Sequence, residues 1–128
     1  MQIVSALFID ENELRSVPGP STRIDLTGIQ FSAPAVEPFP LTIAPHLVVI
    51  VRNGPGEDPN GVLEVVFLRD GEQIARNVQP VDVEPGKFAY RLVRGELEFD
   101  EPGTVEAHCR IGHGDPTVVP YTLLAPVD

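Results

Sequence analysis

Four side chains of types that bind metals or catalyse reactions stand close together late in the chain, in the segment EAHCRIGHGDP. They are His108, Cys109, His113 and Asp115. Imidazole, thiolate and carboxylate groups are the usual zinc ligands, and a Cys beside a basic His can act as a nucleophile. One hypothesis is therefore a metal-dependent enzyme that uses His108 and His113 together with a ligand from a neighbouring loop.

The element that carries these residues is predicted to be a β-strand. Its apolar and polar side chains alternate: Val105, Ala107, Cys109 and Ile111 against Thr104, Glu106, His108 and Arg110. Because successive side chains of a strand point to opposite faces, His108 and Cys109 can share a metal only if a β-bulge re-aims one of them. We expect Cys109 in the core, His108 on the solvent side and residues 112–116 in a hairpin turn.

The rest of the sequence adds little to an enzymatic interpretation. Only three His are present, and the third, His46, follows a Pro and precedes a long apolar run, as is typical of a strand end. A nucleophilic Cys109 would need an exposed thiol beside a base. The chain has no GxSxG, P-loop, HExxH, CxxC or dinucleotide-binding glycine motif. We therefore predict no catalytic residue, no metal ligand and no cofactor, and expect the protein not to be an enzyme.

Acidic residues in the predicted turns offer a second chemistry. They are Asp10, Glu11, Glu13, Glu57, Asp58, Asp70, Glu72, Asp100 and Glu101. Antiparallel topology brings alternate turns to one end of a domain, where clustered oxygens could bind Ca²⁺, which takes about six to eight of them. A small-ligand- or Ca²⁺-binding domain that uses these loops is therefore the alternative function, although no D-x-D-x-D loop is present.

Composition narrows the class of protein and of partner. The 128 residues suit one domain, residues 1–128, and the 14 Pro and 11 Gly are spread between apolar runs, which favours short strands over helices. A formal net charge of −10 opposes binding to nucleic acid and to anionic membranes. The single Cys excludes an internal disulfide, and residues 3–9 form a short apolar run with no Lys or Arg before it, so we expect a cytoplasmic protein.

Periodicity predicts an all-β fold with about seven to nine strands. The strands are expected at residues 2–9, 22–27, 41–53, both arms of 62–78, 88–95, 96–100, 104–112 and 117–127. Residues 10–13 are predicted to form a turn, the rest of 14–40 to be irregular, and Asp70-Gly71 to form a type I′ turn. This arrangement indicates an antiparallel β-sandwich of immunoglobulin-like style, with a closed barrel as the rival architecture.

Two resemblances accompany this pattern. The stretch LEFDEPGTVEAHCRI resembles the corner before strand F of immunoglobulin-like and fibronectin-type sandwiches, but Val105 and Ala107 stand where those families often have Tyr and Cys. The opening SALFID, the Asp-Gly hairpin and the late L-x-F-x-x-P-G-T-x-E pattern are similar to small bacterial single-domain β-sandwich proteins without an assigned activity. Both resemblances imply a fold and no chemistry.

The run Leu47–Val51 is apolar at every position. Such a run predicts either a central strand buried on both faces or a strand that packs against a partner. Prolines at residues 34, 38, 40 and 120 remove hydrogen-bond donors, as is typical of blunted sheet edges. We therefore expect a non-catalytic protein-interaction or structural module, with a protein partner or self-association, and no nucleic acid or membrane partner.

Overall fold

Strands make up all of the regular structure of the residues that the structure describes. The structure is a computed structural model that describes residues 1–16 and 22–127, with side chains for residues 1–9 and 24–127. The strands of these residues are β1 (Gln2–Ser16), β2 (Thr22–Gln30), β3 (Ser32–Pro34), β4 (Leu41–Ile43), β5 (His46–Arg52), β6 (Asn60–Arg69), β7 (Glu72–Asp82), β8 (Phe88–Val93), β9 (Leu97–Phe99), β10 (Gly103–Ile111) and β11 (Thr117–Leu124). The described residues contain no helix that is long and apolar enough to cross a lipid bilayer.

The strands form three sheets. A four-stranded sheet has the order β2-β1-β5-β8, a five-stranded sheet has the order β3-β11-β10-β6-β7, and β4 pairs with β9. The predicted all-β, antiparallel character is confirmed, except that β3 pairs with β11 in parallel. The described residues hold eleven strands, more than the seven to nine predicted, because β3, β4 and β9 are separate pieces of three residues each. Prolines 40 and 45 flank β4 and cannot donate to a ladder, which keeps β4 short and separates it from β5.

The two larger sheets share one hydrophobic core. The buried cluster takes side chains from both, including Phe8 and Leu47 of the four-stranded sheet and Leu63, Phe67 and Val105 of the five-stranded sheet. These residues alternate along their strands with half-buried or exposed ones, as period-two patterning requires. Each large sheet therefore has one face toward the shared core and one face away from it, which we call its outer face.

Two local predictions about strands are confirmed. Asp70 and Gly71 both have positive φ, 51° and 80°, as a type I′ hairpin turn between β6 and β7 requires. The run Leu47–Val51 lies within β5, which pairs with β1 on one side and β8 on the other. It is therefore a central strand, and its inward residues Leu47, Val49 and Val51 belong to the core cluster.

The predicted turn at residues 10–13 is wrong. The backbone of β1 continues through these residues to Ser16, and β2 extends to Gln30 rather than ending at residue 27. Antiparallel pairing between the two strands, as in Glu11↔Thr27 and Glu13↔Asp25, satisfies the backbone of a stretch whose composition favours turns. Strand pairing overrides residue preference because β-propensity depends on context. The side chains of residues 10–13 lie outside the described part.

The adjacent edges of the two large sheets, β7 and β8, are joined by side chains. Gln79 Nε2 donates to the Leu92 carbonyl at 3.3 Å, and Arg91 Nε donates to the Pro80 carbonyl at 3.3 Å. At the same side of the molecule, Gly95 lets the chain pass over the ring of Phe67, since a Cβ at Gly95 would lie 2.6 Å from Phe67 Cε2. These contacts hold β8 in place beside the five-stranded sheet.

Candidate functional site

The structure places His108, Cys109, His113 and Asp115 in different environments. His108 is partly exposed on the outer face of β10, while Cys109 is fully buried in the core, as predicted. His113 and Asp115 are exposed in the turn between β10 and β11. Among the residues with described side chains, no group of three or more His, Cys, Asp or Glu could hold a metal ion.

The immediate neighbours of His108 explain why it lacks further ligands. Its cross-strand neighbours are Val66 and Val118, and neither can coordinate a metal. Its imidazole Nε2 lies 3.5 Å from Oε1 of Glu106, which is two residues away on the same face. A hydrogen bond of that length is weak. His108 thus forms one loose surface contact and meets neither His113 nor Cys109.

Burial makes Cys109 a poor nucleophile. Desolvation raises the pKa of its thiol from 9.0 to about 12, so the reactive thiolate is disfavoured at neutral pH. The side chain belongs to the hydrophobic cluster together with Val105 and Ala107 of the same strand. Cys109 therefore acts as a small apolar core residue.

The acidic turns do not converge on one site. Asp70, Asp100 and Glu101 do line one depression, but Arg69 lies in it as well. The guanidinium of Arg69 donates to the Glu98 carbonyl and lies 4.6 Å from the centre of the Phe99 ring. This fixed positive charge offsets the carboxylates at the position that a Ca²⁺ ion would need.

The acidic turn at Glu57 and Asp58 lies at the opposite end of β6. Asn60 begins this ten-residue strand and Arg69 ends it, which separates the two turns by about 30 Å. The Glu57 carboxylate accepts hydrogen bonds from the Met1 amino group at 2.9 Å and from Gly54 N–H at 2.8 Å, which lower its pKa. Asp58 caps the backbone N–H of Asn60 at 2.9 Å. The carboxylates of Glu57 and Asp58 therefore accept hydrogen bonds from groups at their own end of β6.

The structure assembles an apolar surface on the outer face of the four-stranded sheet, and the sequence analysis did not locate this surface. Val48 is fully buried, yet it alternates with the inward residues of β5 and does not belong to the core cluster. It lies between Leu7 of β1 and Leu92 of β8. We define the apolar face as the outward side chains of this region: Leu7, Ile9, Ile29, Val48, Ile50, Phe88, Tyr90 and Leu92.

Several side chains of the apolar face are open to solvent. Phe88 is 61% exposed, Ile29 48% and Leu92 41%. By contrast, the outer face of the five-stranded sheet mixes polar contacts with apolar residues. The hydroxyls of the cross-strand pair Thr104 and Thr122 lie 2.8 Å apart, and Glu64 forms a diagonal 2.6 Å ion pair with Arg76. Exposed Val62, Val78 and Val118 lie among these polar groups. Polar cross-strand pairs are typical of a sheet face in water. The two outer faces thus differ in chemistry: one mixes polar and apolar side chains, and the other carries a contiguous group of large apolar and aromatic ones.

The charged side chains of β5 and at the end of β8, beside the apolar face, are positive. Arg52 extends the outward row of β5 at one end, with its guanidinium 6.0 Å from the Phe88 ring centre. Arg94 follows β8 at the other end, beyond Leu92. Residues 2–9, β5 and β8 contain no Asp or Glu. In a chain with a net charge of −10, these three segments are a local exception.

A cavity of about 330 Å³ opens beside the Arg94 end of the apolar face. His46, which was expected at a strand end, is the first residue of β5 and lines this cavity. Its other lining residues are Ile9, Gln30, Ala33, Pro34, Val36, Ile43, Ala44, Pro45, Arg94, Tyr121 and Leu123. The walls are mostly apolar, with a few polar groups, which is the usual composition of a small-molecule site.

Two sequence signals pointed toward the apolar face. The run Leu47–Val51 is apolar at the positions that point to either face of the strand. In β8, the apolar or aromatic residues Phe88, Tyr90 and Leu92 stand at alternate positions. Neither signal shows which strands lie side by side, so the face could not be assembled from the sequence. No known family model and no curated protein matches this chain.

Proposed function

We propose that this protein is a cytoplasmic, immunoglobulin-like β-sandwich that acts as a non-catalytic protein-interaction module through its apolar face. The sandwich architecture is supported by the single core cluster that both large sheets supply. It is also supported by the passage of the chain from β2 in one sheet to β3 in the other across Phe31. The linked edges β7 and β8 bring the architecture close to a barrel on one side.

The observation that carries the functional proposal is the contrast between the two outer faces. An antiparallel sheet that faces water normally alternates apolar residues inside with polar residues outside. The outward residues of β10 in the five-stranded sheet are polar, although Val62, Val78 and Val118 are exposed on other strands of that sheet. By contrast, β5 and β8 carry an unbroken group of large apolar and aromatic side chains outward. Contiguous exposed apolar patches on a folded protein are typical of contact sites.

The partner that fits this face is a protein segment with apolar side chains flanked by Asp or Glu. Arg52 and Arg94 at the two ends would pair with these carboxylates, and the ring of Phe88 and the side chain of Leu92 would cover apolar groups. The apolar face consists of only eight side chains, so its area is that of a weak or transient interface.

A second copy of the chain fits the apolar face less well. Consider a symmetric dimer in which two copies pack their apolar faces together with their strands aligned. In that dimer an Arg at the end of one face would lie against an Arg of the other copy. This follows because both ends of the face, at Arg52 and Arg94, are positive. Like charges brought together at an interface weaken binding. We therefore expect the isolated protein to be a monomer.

Selection from a random peptide display library against the full chain tests this proposal. We expect the enriched peptides to combine large apolar side chains with Asp or Glu. Binding to the double variant Phe88→Ser with Leu92→Ser is expected to fall by about tenfold or more, because each lost buried apolar side chain contributes of the order of 1–2 kcal/mol. Both residues are exposed, so the variant retains its core.

The matched control is Val118→Ser, since Val118 is 44% exposed on the outer face of the other large sheet. Its binding to the same peptides is expected to equal that of the wild type. Enrichment of basic peptides, or equal binding by the double variant, would contradict the proposal. So would a dimer in size-exclusion chromatography with light scattering that Leu92→Ser dissociates, since the occupant of the face would then be a second copy.

A further inference from the structure

The cavity beside Arg94 has the chemistry of a binding site for an anion. Its walls include the apolar side chains of Ile9, Ile43 and Leu123, while Arg94 and His46 contribute nitrogen donors. We propose that it binds a small monocarboxylate with a compact apolar body, a function distinct from peptide docking on the apolar face. The carboxylate would pair with the Arg94 guanidinium, and the apolar body would contact the walls.

The hydrogen bonds of Arg94 leave its charged tip available. Its Nε donates to the Ala44 carbonyl at 3.2 Å, which anchors the side chain to the strand connection that forms one wall. Among the residues with described side chains, no group accepts a hydrogen bond from the two Nη atoms of Arg94. These atoms form the planar, paired donor geometry that matches a carboxylate.

The imidazole of His46 is a second available donor. It is half-buried at the start of β5, and within the described part of the chain it makes no hydrogen bond. Among the residues with described side chains, no Asp or Glu lines the cavity, so none of their carboxylates competes for Arg94 or His46. Tyr121 and Gln30 also line the cavity, where the Tyr121 hydroxyl donates to Gln30 Oε1 at 3.4 Å, so further polar atoms lie at the site.

Size and charge select the class of ligand. A volume of about 330 Å³ is at the lower end of the range for small-molecule sites. The net charge of −10 repels polyanions such as nucleotides from the rest of the surface, whereas a single carboxylate needs only one cation. The carboxylate could belong to a free organic acid or to the C-terminus of a peptide that ends in an apolar residue.

Isothermal titration of the full chain with 4-methylpentanoate tests the proposal. We expect saturable binding with one site, and binding of the uncharged 4-methylpentanamide that is weaker by about tenfold or more, because it lacks the charge-assisted pair with Arg94. A short peptide with a C-terminal Leu and a free carboxylate forms a second arm. Tighter binding of the peptide than of the free acid would identify a chain terminus as the natural source of the carboxylate.

The variant Arg94→Gln is expected to weaken 4-methylpentanoate binding by about tenfold or more. The matched control is Arg110→Gln, which makes the same charge change at an exposed residue of β10 away from this cavity. It is expected to bind like the wild type. The proposal is overturned if the acid shows no saturable binding at millimolar concentration, if the amide binds equally well, or if Arg94→Gln has no effect.

These outcomes can be distinguished from those of the peptide-docking proposal through Phe88 and Leu92, since Arg94 has a role in both. The double variant Phe88→Ser with Leu92→Ser leaves the cavity lining unchanged, because neither residue contributes to it. It is therefore expected to keep its affinity for 4-methylpentanoate while it loses the selected peptides. Loss of peptide binding together with retained binding of 4-methylpentanoate in this variant would separate the two activities.

Discussion

At the scale of single residues, burial determines what the potentially reactive side chains can do. Cys109 has a thiol that chemistry could use, but it lies on the inner side of β10 among Val105, Ala107 and other apolar side chains. His108, the next residue toward the N-terminus, lies on the outer face with one weak contact to Glu106. Adjacent positions in a strand thus have opposite environments.

Burial of Cys109 leads to a testable dependence of stability on pH. The thiol in the unfolded chain titrates near 9.0, whereas in the folded protein its pKa is about 12. At a pH between these two values, the Cys109 thiol is ionised in the unfolded chain but stays protonated in the folded protein. The contribution of Cys109 to the free energy of unfolding therefore decreases as the pH rises. Below pH 9 that contribution is fully present.

The matched comparison is Cys109→Ala, which has no thiol to ionise. We expect the stability difference between wild type and variant, measured by urea unfolding, to be constant up to about pH 8 and to decrease from about pH 9 upward. The thiol of the native wild type is also expected to resist a thiol-reactive dye until the protein is unfolded. Rapid labelling of the native protein would show that Cys109 is accessible.

At the scale of secondary-structure elements, two kinds of contact position β8. One is its hydrogen-bonded pairing with β5, and the other is the set of contacts that it and the following residues make with the five-stranded sheet. The residues just after β8 pass directly over the core ring of Phe67, where Gly95 leaves room for the ring. Gln79 of β7 donates to the Leu92 carbonyl from the other sheet. The apolar face depends on this placement because β8 supplies Phe88, Tyr90 and Leu92.

Substitution of Gly95 tests how tightly this junction is packed. In Gly95→Ala the new Cβ would lie 2.6 Å from Phe67 Cε2, so the ring or the backbone must move. We expect a loss of about 1–3 kcal/mol in the free energy of unfolding, the usual cost of overpacking a core. Gly103→Ala is the control, since its Cβ would meet no atom within 4 Å. Equal stability of the two variants would show that the junction is loosely packed.

How well each element was predicted depends on whether its signal is local. Asp70-Gly71 was recognised because a type I′ turn needs positive φ at both positions, and the structure has it. The extension of β1 through residues 10–16 was missed because it depends on pairing with β2, which the polar composition of the segment does not reveal. The parallel pairing of β3 with β11 was missed for the same reason, since the partners are distant in sequence.

At the scale of the whole molecule, charge is distributed unevenly. The net charge is −10, yet the apolar face has Arg52 and Arg94 at its ends and no carboxylate on β5 or β8. The acidic turns at Asp58 and Asp70 lie at opposite ends of β6. The sequence alone is compatible with acidic turns that cluster at one end of the domain. The strand topology instead places the carboxylates of these two turns far apart.

This dispersal predicts that Ca²⁺ has no specific effect on stability. Divalent cations screen the repulsion between the excess carboxylates, so both Ca²⁺ and Mg²⁺ are expected to raise the melting temperature by a few degrees at most. Thermal unfolding with equal concentrations of CaCl₂ and MgCl₂ measures the difference between them. We expect the two curves to coincide, because Arg69 occupies the depression that Asp70, Asp100 and Glu101 line. A selective increase with Ca²⁺ would show that the loops bind it.

The sequence by itself determined the properties that depend on neighbouring residues along the chain. Alternation in residues 104–111 is enough to predict an exposed His108 and a buried Cys109, and the spread of Pro and Gly favours strands throughout. Only the tertiary structure decided which surfaces these strands make together. The apolar face needs Leu7, Val48 and Leu92 side by side, and the cavity needs Arg94 beside Ile9 and Tyr121. Those contacts join residues distant in sequence, and the order of strands in a sheet is set by pairing and burial across the whole domain.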